Sequence, residues 1–162
     1  MDESIWRQFI DPHGRFRVDF PASWQVDQSE TAFTHRQQER IWHGTWVITE
    51  LHPPFEDENT WGMGVTIRIE QFNDTPPPIF GEIQEPTDLG FLRTHHVMHD
   101  GDWLTVVVGH LRVHVRYAIQ SLSRKYHPDG WDPPAPLSSD EQHRRRALVQ
   151  RIINSFELLV SG

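Results

Sequence analysis

Cysteine is absent from this sequence of 162 residues, and its absence excludes three classes of protein. A chain without cysteine has no disulfide scaffold, no thiolate metal site and no cysteine nucleophile. Cysteine usage therefore says nothing about the redox compartment of the protein.

Basic side chains are scarce. The 15 Lys and Arg residues face 23 Asp and Glu residues, so the formal net charge is −8 with histidine neutral. Proteins that bind nucleic acid neutralise phosphates with clustered Lys and Arg, and an acidic chain lacks that charge. We therefore expect no nucleic-acid partner.

The sequence also lacks a long apolar run. Its most apolar stretch, Trp103–Val108, has 6 residues, whereas a membrane-spanning helix needs about 20. Residues 1–7 are acidic and contain neither the basic nor the apolar region of a secretory signal. We therefore expect a cytoplasmic protein without membrane insertion.

Large aromatic side chains and histidine, in contrast, are plentiful. The chain has 7 Trp, 9 Phe and 11 His, although only 36% of its residues are hydrophobic. Each large aromatic side chain buries about 150–250 Å², so a few of them build much of a core. The length is typical of one domain, and we expect residues 1–162 to form a single domain.

Apolar and polar residues alternate with a period of two as far as about residue 122. This pattern predicts antiparallel strands with one buried and one wetter face, at residues 16–20, 40–51 and 64–72. A corner at residues 21–23 leads into a further short strand.

Two turn signals predict a meander of strands at about 91–99, 102–108 and 111–122. Asp100-Gly101 suits one two-residue hairpin turn, and Gly109-His110 suits the next. The alternative is that Gly109 forms a bulge in one long strand, which removes the second register. The hairpin turns align two rows of residues across the strands: Val97, Leu104 and Val115 in one, and His96, Thr105 and His114 in the other.

A helix is predicted near the end of the chain. Ser138, Asp140 and Glu141 supply a cap and first-turn carboxylates, and apolar residues over 148–156 follow a three-and-four spacing. We expect an amphipathic helix on the sheet, with the basic run at 144–146 on its solvated side. Residues 86–92 are a weaker helix candidate.

The two ends of the chain carry a family resemblance. The segment Phe9-x-Asp11-Pro12-x-Gly14-x-Phe16-x-Val18-x-Phe20-Pro21-x-x-Trp24, with a closing helix that ends in Ile152-Ile153-x-Ser155-Phe156, resembles the PsbP-like superfamily. That superfamily includes the extrinsic photosystem II subunit, Ran-binding Mog-type factors and bacterial DcrB-type proteins. The resemblance implies an α+β fold, a central antiparallel sheet flanked by helices in an α/β/α sandwich. It also implies a non-enzymatic protein. The sequence departs from the family in showing neither a thylakoid leader nor an acidic Ran-binding motif.

No catalytic motif or cofactor motif stands out. The sequence has no Gly-x-Ser-x-Gly and no Ser-x-x-Lys, and its glycine pair at Gly62 and Gly64 lacks the third glycine and lysine of a phosphate loop. We therefore predict no catalytic residue and no cofactor. An enzyme whose site is assembled from scattered residues stays open as an alternative.

Histidines of the meander suggest a metal site as another alternative. His96 and His114 would share a face with Thr105 between them, which places their Cα atoms roughly 9.5 Å apart. That separation is wide for two ligands of one zinc ion, so we assign no metal ligands. A histidine-based metal-binding protein remains the first alternative function.

The same meander face is the predicted partner site, because it combines aromatic area with cationic donors. Its members are His96, Met98, Trp103, Thr105, Arg112, His114 and Arg116. We therefore predict a non-enzymatic, protein-binding or chaperone-like domain whose protein partner is unidentified. A sheet edge or an exposed aromatic face would also support a homodimer, and titrating histidines predict altered association or solubility between about pH 5 and 7.

Overall fold

The computed structural model describes residues 3–54, 63–74, 82–84, 97–100, 103–119, 126–127, 130–131 and 137–159. At 82–84, 97–100, 103, 126–127 and 130–131 the description covers the backbone alone.

Most of the described chain is antiparallel β structure. Its strands are β1 (Trp6–Ile10), β2 (Phe16–Pro21), β3 (Gln25–Gln37), β4 (Arg40–His52), β5 (Gly64–Phe72), β6 (Glu82–Gln84), β7 (Val97–Asp100), β8 (Trp103–Val108), β9 (Leu111–Ala118), β10 (Tyr126–His127), β11 (Gly130–Trp131) and β12 (Glu157–Leu158). A large sheet has the order β3-β4-β5-β9-β8-β7-β6, a small sheet has the order β1-β2-β12, and β10 pairs with β11. The strands predicted at 16–20, 40–51 and 64–72 are confirmed, whereas β3 extends far beyond the short strand expected there.

The large sheet has two faces of different character. Its core face carries alternate residues such as Val47, Ile67 and Val113, which are buried against the small sheet and a helix, α1 (Ser139–Ser155). Side chains at the intervening positions point the opposite way. We call this opposite side the second face, and it includes Phe33, Trp46, Glu70, Arg112 and His114.

Helix α1 forms as the sequence predicts. The side chain of Ser138 accepts a hydrogen bond from the backbone N–H of Glu141 at 3.2 Å, which satisfies one of the open donors of the first turn. The apolar stripe of α1 is buried in the core. The prediction for the basic run is wrong at Arg145, which is buried and donates to Glu141 at 2.8 Å and to the carbonyl of Ile119 at 2.9 Å.

The Asp-Pro-x-Gly segment joins the two sheets. Arg15 donates to both carboxylate oxygens of buried Asp11, at 2.6 and 2.9 Å, and Gln28 of β3 donates to the same carboxylate at 3.1 Å. Burial by itself raises the pKa of Asp11, but these hydrogen bonds and the charge of Arg15 hold it below its ordinary value. Gly14 takes a positive φ of 68°, which glycine adopts without steric cost.

The second meander turn is confirmed and the first register is wrong. Gly109 has a φ of 59° in a two-residue turn that pairs Leu104 with Val115 and Thr105 with His114, so the bulge alternative is wrong. Across the first turn Thr105 faces Met98 instead of His96, because Asp100 belongs to β7 and pairs with Trp103. A shift of two residues leaves each side chain on its predicted face.

The expected α/β/α sandwich is wrong. Within the described residues α1 is the one helix, and it shares the core face with the small sheet. The second face carries charged, imidazole and aromatic side chains that contact one another, so it does not need a covering helix in order to bury an apolar surface. The weaker helix candidate at 86–92 lies outside the described residues.

Candidate functional site

The second face is organised in rows that run across the strands. Each row consists of residues that face one another in the registers of β3, β4, β5, β9 and β8. The two central rows are Thr31, Trp46, Glu70, Arg112 and Val107, and Ser29, Ile48, Arg68, His114 and Thr105. Side chains within a row are close enough to interact directly.

A chain of contacting polar side chains occupies the middle of this face. His114 contacts the hydroxyl of Thr105 through Nδ1 at 2.7 Å and Oε1 of Glu70 through Nε2 at 2.7 Å. Arg68 lies 3.3 Å from the same oxygen of Glu70. Both ring nitrogens of His114 are therefore engaged, which fixes the orientation of the imidazole.

The carboxylate of Glu70 is kept ionised by its neighbours. Burial by itself raises the pKa of Glu70, but the contact with His114 and the charges of Arg68 and Arg112 hold it below its ordinary value. The charged form of Glu70 is therefore part of the folded structure.

A hydroxyl, an imidazole and a carboxylate in series have the order of a catalytic triad. A nucleophile must meet its substrate, however, and Thr105 is 0% exposed and His114 is 3% exposed. We therefore interpret the chain Thr105–His114–Glu70 as a structural network that holds β8, β9 and β5 in register.

Aromatic side chains form a second feature, beside this network. We call them the aromatic patch: Phe33, Trp42, Trp46 and Phe72. Trp46 stacks on Phe33 with ring centroids 5.0 Å apart, and Phe33 meets Phe72 edge-on at 5.2 Å. Trp46 is 37% exposed, whereas the other three side chains are buried.

Gly44 makes room for the patch. It faces both Phe33 and Phe72 across the strands, and a Cβ atom there would lie 2.7 Å from the Phe33 ring. The absence of a side chain on Gly44 therefore lets Phe33 lie across β4 and reach the ring of Phe72.

Cations border the aromatic patch. The guanidinium of Arg40 lies 4.8 Å from the Trp42 ring, and that of Arg112 lies 5.1 Å from the Phe72 ring. At the β3–β4 turn the exposed side chains of Arg36 and Arg40 outnumber the acidic Glu39. This end of an acidic protein is therefore locally basic.

The predicted partner residues are placed differently from one another. Arg116 is exposed and Arg112 borders the aromatic patch, whereas Thr105 and His114 are buried in the network. The backbone register places the positions of Met98 and Trp103 on the second face, together with Thr105. His96 lies outside the described residues. Whether any of these residues binds a partner stays a prediction.

Sequence reasoning missed the aromatic patch and the role of Glu70. The period-two pattern of β5 already placed Thr66, Arg68 and Glu70 on one face, which was the available signal for the network. The patch depends on pairing between β3, β4 and β5, and an alternation pattern within one strand does not show which strands become neighbours.

Other histidines are held in pairs. His52 contacts Asp27 at 2.6 Å through Nε2 and the carbonyl of Pro53 at 2.9 Å through Nδ1, and His13 lies 3.5 Å from Glu30. Among the residues that the structure describes, no three His, Asp or Glu side chains are grouped to hold a metal ion.

Comparison with protein-family models, curated proteins and solved structures finds no match for this chain. The PsbP-like resemblance therefore stays a prediction. In the described part of the chain no helix is long and apolar enough to cross a membrane.

Proposed function

We propose that this protein is a non-enzymatic domain that binds another protein through the aromatic patch. The observation that carries the proposal is the half-exposed Trp46, which stacks on buried Phe33 beside two arginine–aromatic contacts. Tryptophan and arginine are the residues most enriched among those that dominate binding energy at protein interfaces. Because Trp46 stacks on the ring of Phe33, its side chain is already held in place before a partner binds.

The charge around the patch indicates the kind of partner. Arg36 and Arg40 are exposed at the β3–β4 turn, although the whole chain carries a formal charge of −8. Complementary potentials steer association and fix register. The partner we propose is therefore a protein segment that offers an apolar side chain next to Asp or Glu.

A library of displayed random peptides tests this proposal. We expect selection on the wild-type protein to enrich peptides that combine an aromatic or aliphatic residue with acidic neighbours. Trp46→Ala should weaken the selected peptides at least about ten-fold in fluorescence anisotropy, because a central aromatic contact contributes about 2 kcal/mol or more. Arg40→Glu should weaken acidic peptides in particular.

Tyr117→Ala is the matched control. Tyr117 is 42% exposed, similar to Trp46, but it occupies a core-face position near the end of β9. Circular dichroism confirms that each variant folds. If no peptide is enriched, or if Trp46→Ala and Tyr117→Ala weaken binding equally, the patch is not the binding site.

A histidine-based metal-binding protein and an enzyme with a scattered site are the alternative functions. Elemental analysis of protein purified without an affinity metal tests the first of them. The buried positions of Thr105 and His114 argue against catalysis at the network.

A further inference from the structure

Strand β3 forms a long edge of the large sheet. Among the described residues it pairs with β4 alone, and it has 13 residues, against about 5–6 in a common strand. An edge strand presents unpaired N–H and C=O groups that serve as a template for another strand. The side chains at 29–32 and 34–36 are exposed, so a second chain can reach this edge.

The two ends of β3 carry side chains of opposite charge type. The first part of the strand carries Asp27 and Glu30, and the last part carries His35 and Arg36. An antiparallel copy of β3 brings the acidic part of each strand beside the basic part of the other, whereas a parallel copy aligns like charges. Opposite charges across a strand pair stabilise it and like charges destabilise it.

We propose that two copies of this chain pair antiparallel through β3 and form one continuous sheet. A two-fold axis perpendicular to the sheet keeps the second faces of both copies on the same side. A residue of one copy and the residue opposite it in the second copy must then lie on the same face of the sheet. Because side chains alternate between faces along β3, the two residue numbers must both be odd or both be even. In the register centred on Phe33, Glu30 lies opposite Arg36 of the second copy, once on each side of the axis.

The existing contacts of Glu30 leave room for this pair. Arg15 and His13 both approach Oε1 of Glu30, at 2.8 and 3.5 Å, and the side chain is 41% exposed. Arg36 is exposed near the end of the strand. The same register brings the two aromatic patches together at the axis, because Phe33 belongs to both the strand and the patch.

Charge reversal tests the proposal in sedimentation velocity and light scattering. We expect wild-type protein to dimerise, and Arg36→Glu to raise the dissociation constant about ten-fold or more, because it replaces two attractive pairs with two repulsive ones. Arg146→Glu is the matched control, since it makes the same charge change at an exposed position on α1 and should leave dimerisation unchanged.

A mixing experiment tests the register. Glu30→Arg alone should also weaken the dimer, whereas an equimolar mixture with Arg36→Glu should restore a heterodimer with two attractive pairs. Arg15 keeps its two hydrogen bonds to Asp11 in the Glu30→Arg variant, and circular dichroism checks its fold. If that variant fails to fold, the comparison of Arg36→Glu with Arg146→Glu still decides whether β3 is the interface.

Hydrogen exchange gives an independent measurement. Every second amide in residues 29–36, where the N–H points away from β4, should become more protected as the protein concentration rises, and amides of α1 should not. A wild-type protein that stays monomeric up to about 100 μM overturns the proposal. A dimer that is unaffected by Arg36→Glu and leaves the amides of β3 unprotected also overturns it.

Discussion

Replacement of Glu70 by glutamine tests whether the buried network stabilises the fold through its charge. Glutamine keeps the shape of the side chain and removes the negative charge that faces Arg68, Arg112 and His114. A hydrogen bond to a charged group contributes about 1.5–3 kcal/mol, and breaking a buried ion pair costs about 3–5 kcal/mol.

Partial exposure places the expected cost of Glu70→Gln below the upper end of the range for a buried ion pair. The side chains of Glu70 and Arg68 are 11% and 25% exposed, so water partly compensates the arginine when its partner is lost. We expect Glu70→Gln to lower the free energy of unfolding at pH 7 by about 2–4 kcal/mol. With a urea m-value of about 2 kcal/mol/M, the unfolding midpoint should fall by about 1–2 M.

The pH dependence of the difference identifies its cause. The pKa of Glu70 is lower in the folded protein than its ordinary value of 4.5, so its stabilisation is fully present above pH 4.5 and is lost as the pH falls through the folded pKa. The difference in stability between wild type and Glu70→Gln should therefore be largest near neutral pH and should shrink in acid. Asp11 and Glu141 titrate in both proteins, so their contributions cancel in this difference.

Glu50→Gln provides the control. Glu50 lies on the same face in an outer row and is exposed, so its replacement should change the stability by less than about 0.5 kcal/mol. A Glu70→Gln variant that is as stable as Glu50→Gln, or a stability difference that does not change between pH 7 and pH 3, would refute the role given to the charge of Glu70.

Three further changes test local features of the fold by urea unfolding. Gln38→Gly should stabilise the protein by about 1 kcal/mol, because Gln38 has a φ of 56° and glycine removes that strain; Glu39→Gly should bring no gain. Gly44→Ala should cost about 1–3 kcal/mol or prevent folding, because its Cβ would lie 2.3 Å from a backbone carbonyl oxygen of β5; unchanged stability would contradict the close packing. Ser138→Ala should cost about 1 kcal/mol through the lost cap, and an equal loss in Ser139→Ala would count against that assignment.

Local features of the fold could be predicted from the sequence. The alternation in Gly64–Phe72 gave β5 with its correct bounds, and Ser138 marked the start of α1. The turn at Gly109 fixed the pairing of Thr105 with His114. In each case the information lies within a few neighbouring residues, where backbone preference and side-chain period act directly.

Long-range arrangement could not be predicted in the same way. The sandwich expected from the family resemblance is wrong because a second sheet shares the core face with α1. The short strand Glu157–Leu158 completes that sheet beside β2, and its two residues carry no pattern of their own. The pairing predicted across the first meander turn is wrong by two residues, because Asp100 belongs to β7 instead of the turn. Only the packed structure shows that Phe33, Trp46 and Phe72 become neighbours.

The pairing of β2 with β12 has a consequence during synthesis of the protein. Arg17 of β2 meets its partner Glu157 across a sequence separation of 140 residues. At about 5–20 residues per second, a ribosome needs roughly 7–28 s to add the residues between them. During that interval the apolar side of β2 lacks Phe156, which stacks on Phe16 in the finished protein at 5.3 Å. The nascent chain therefore passes through a period in which the apolar side of its β1–β2 hairpin lacks part of its packing.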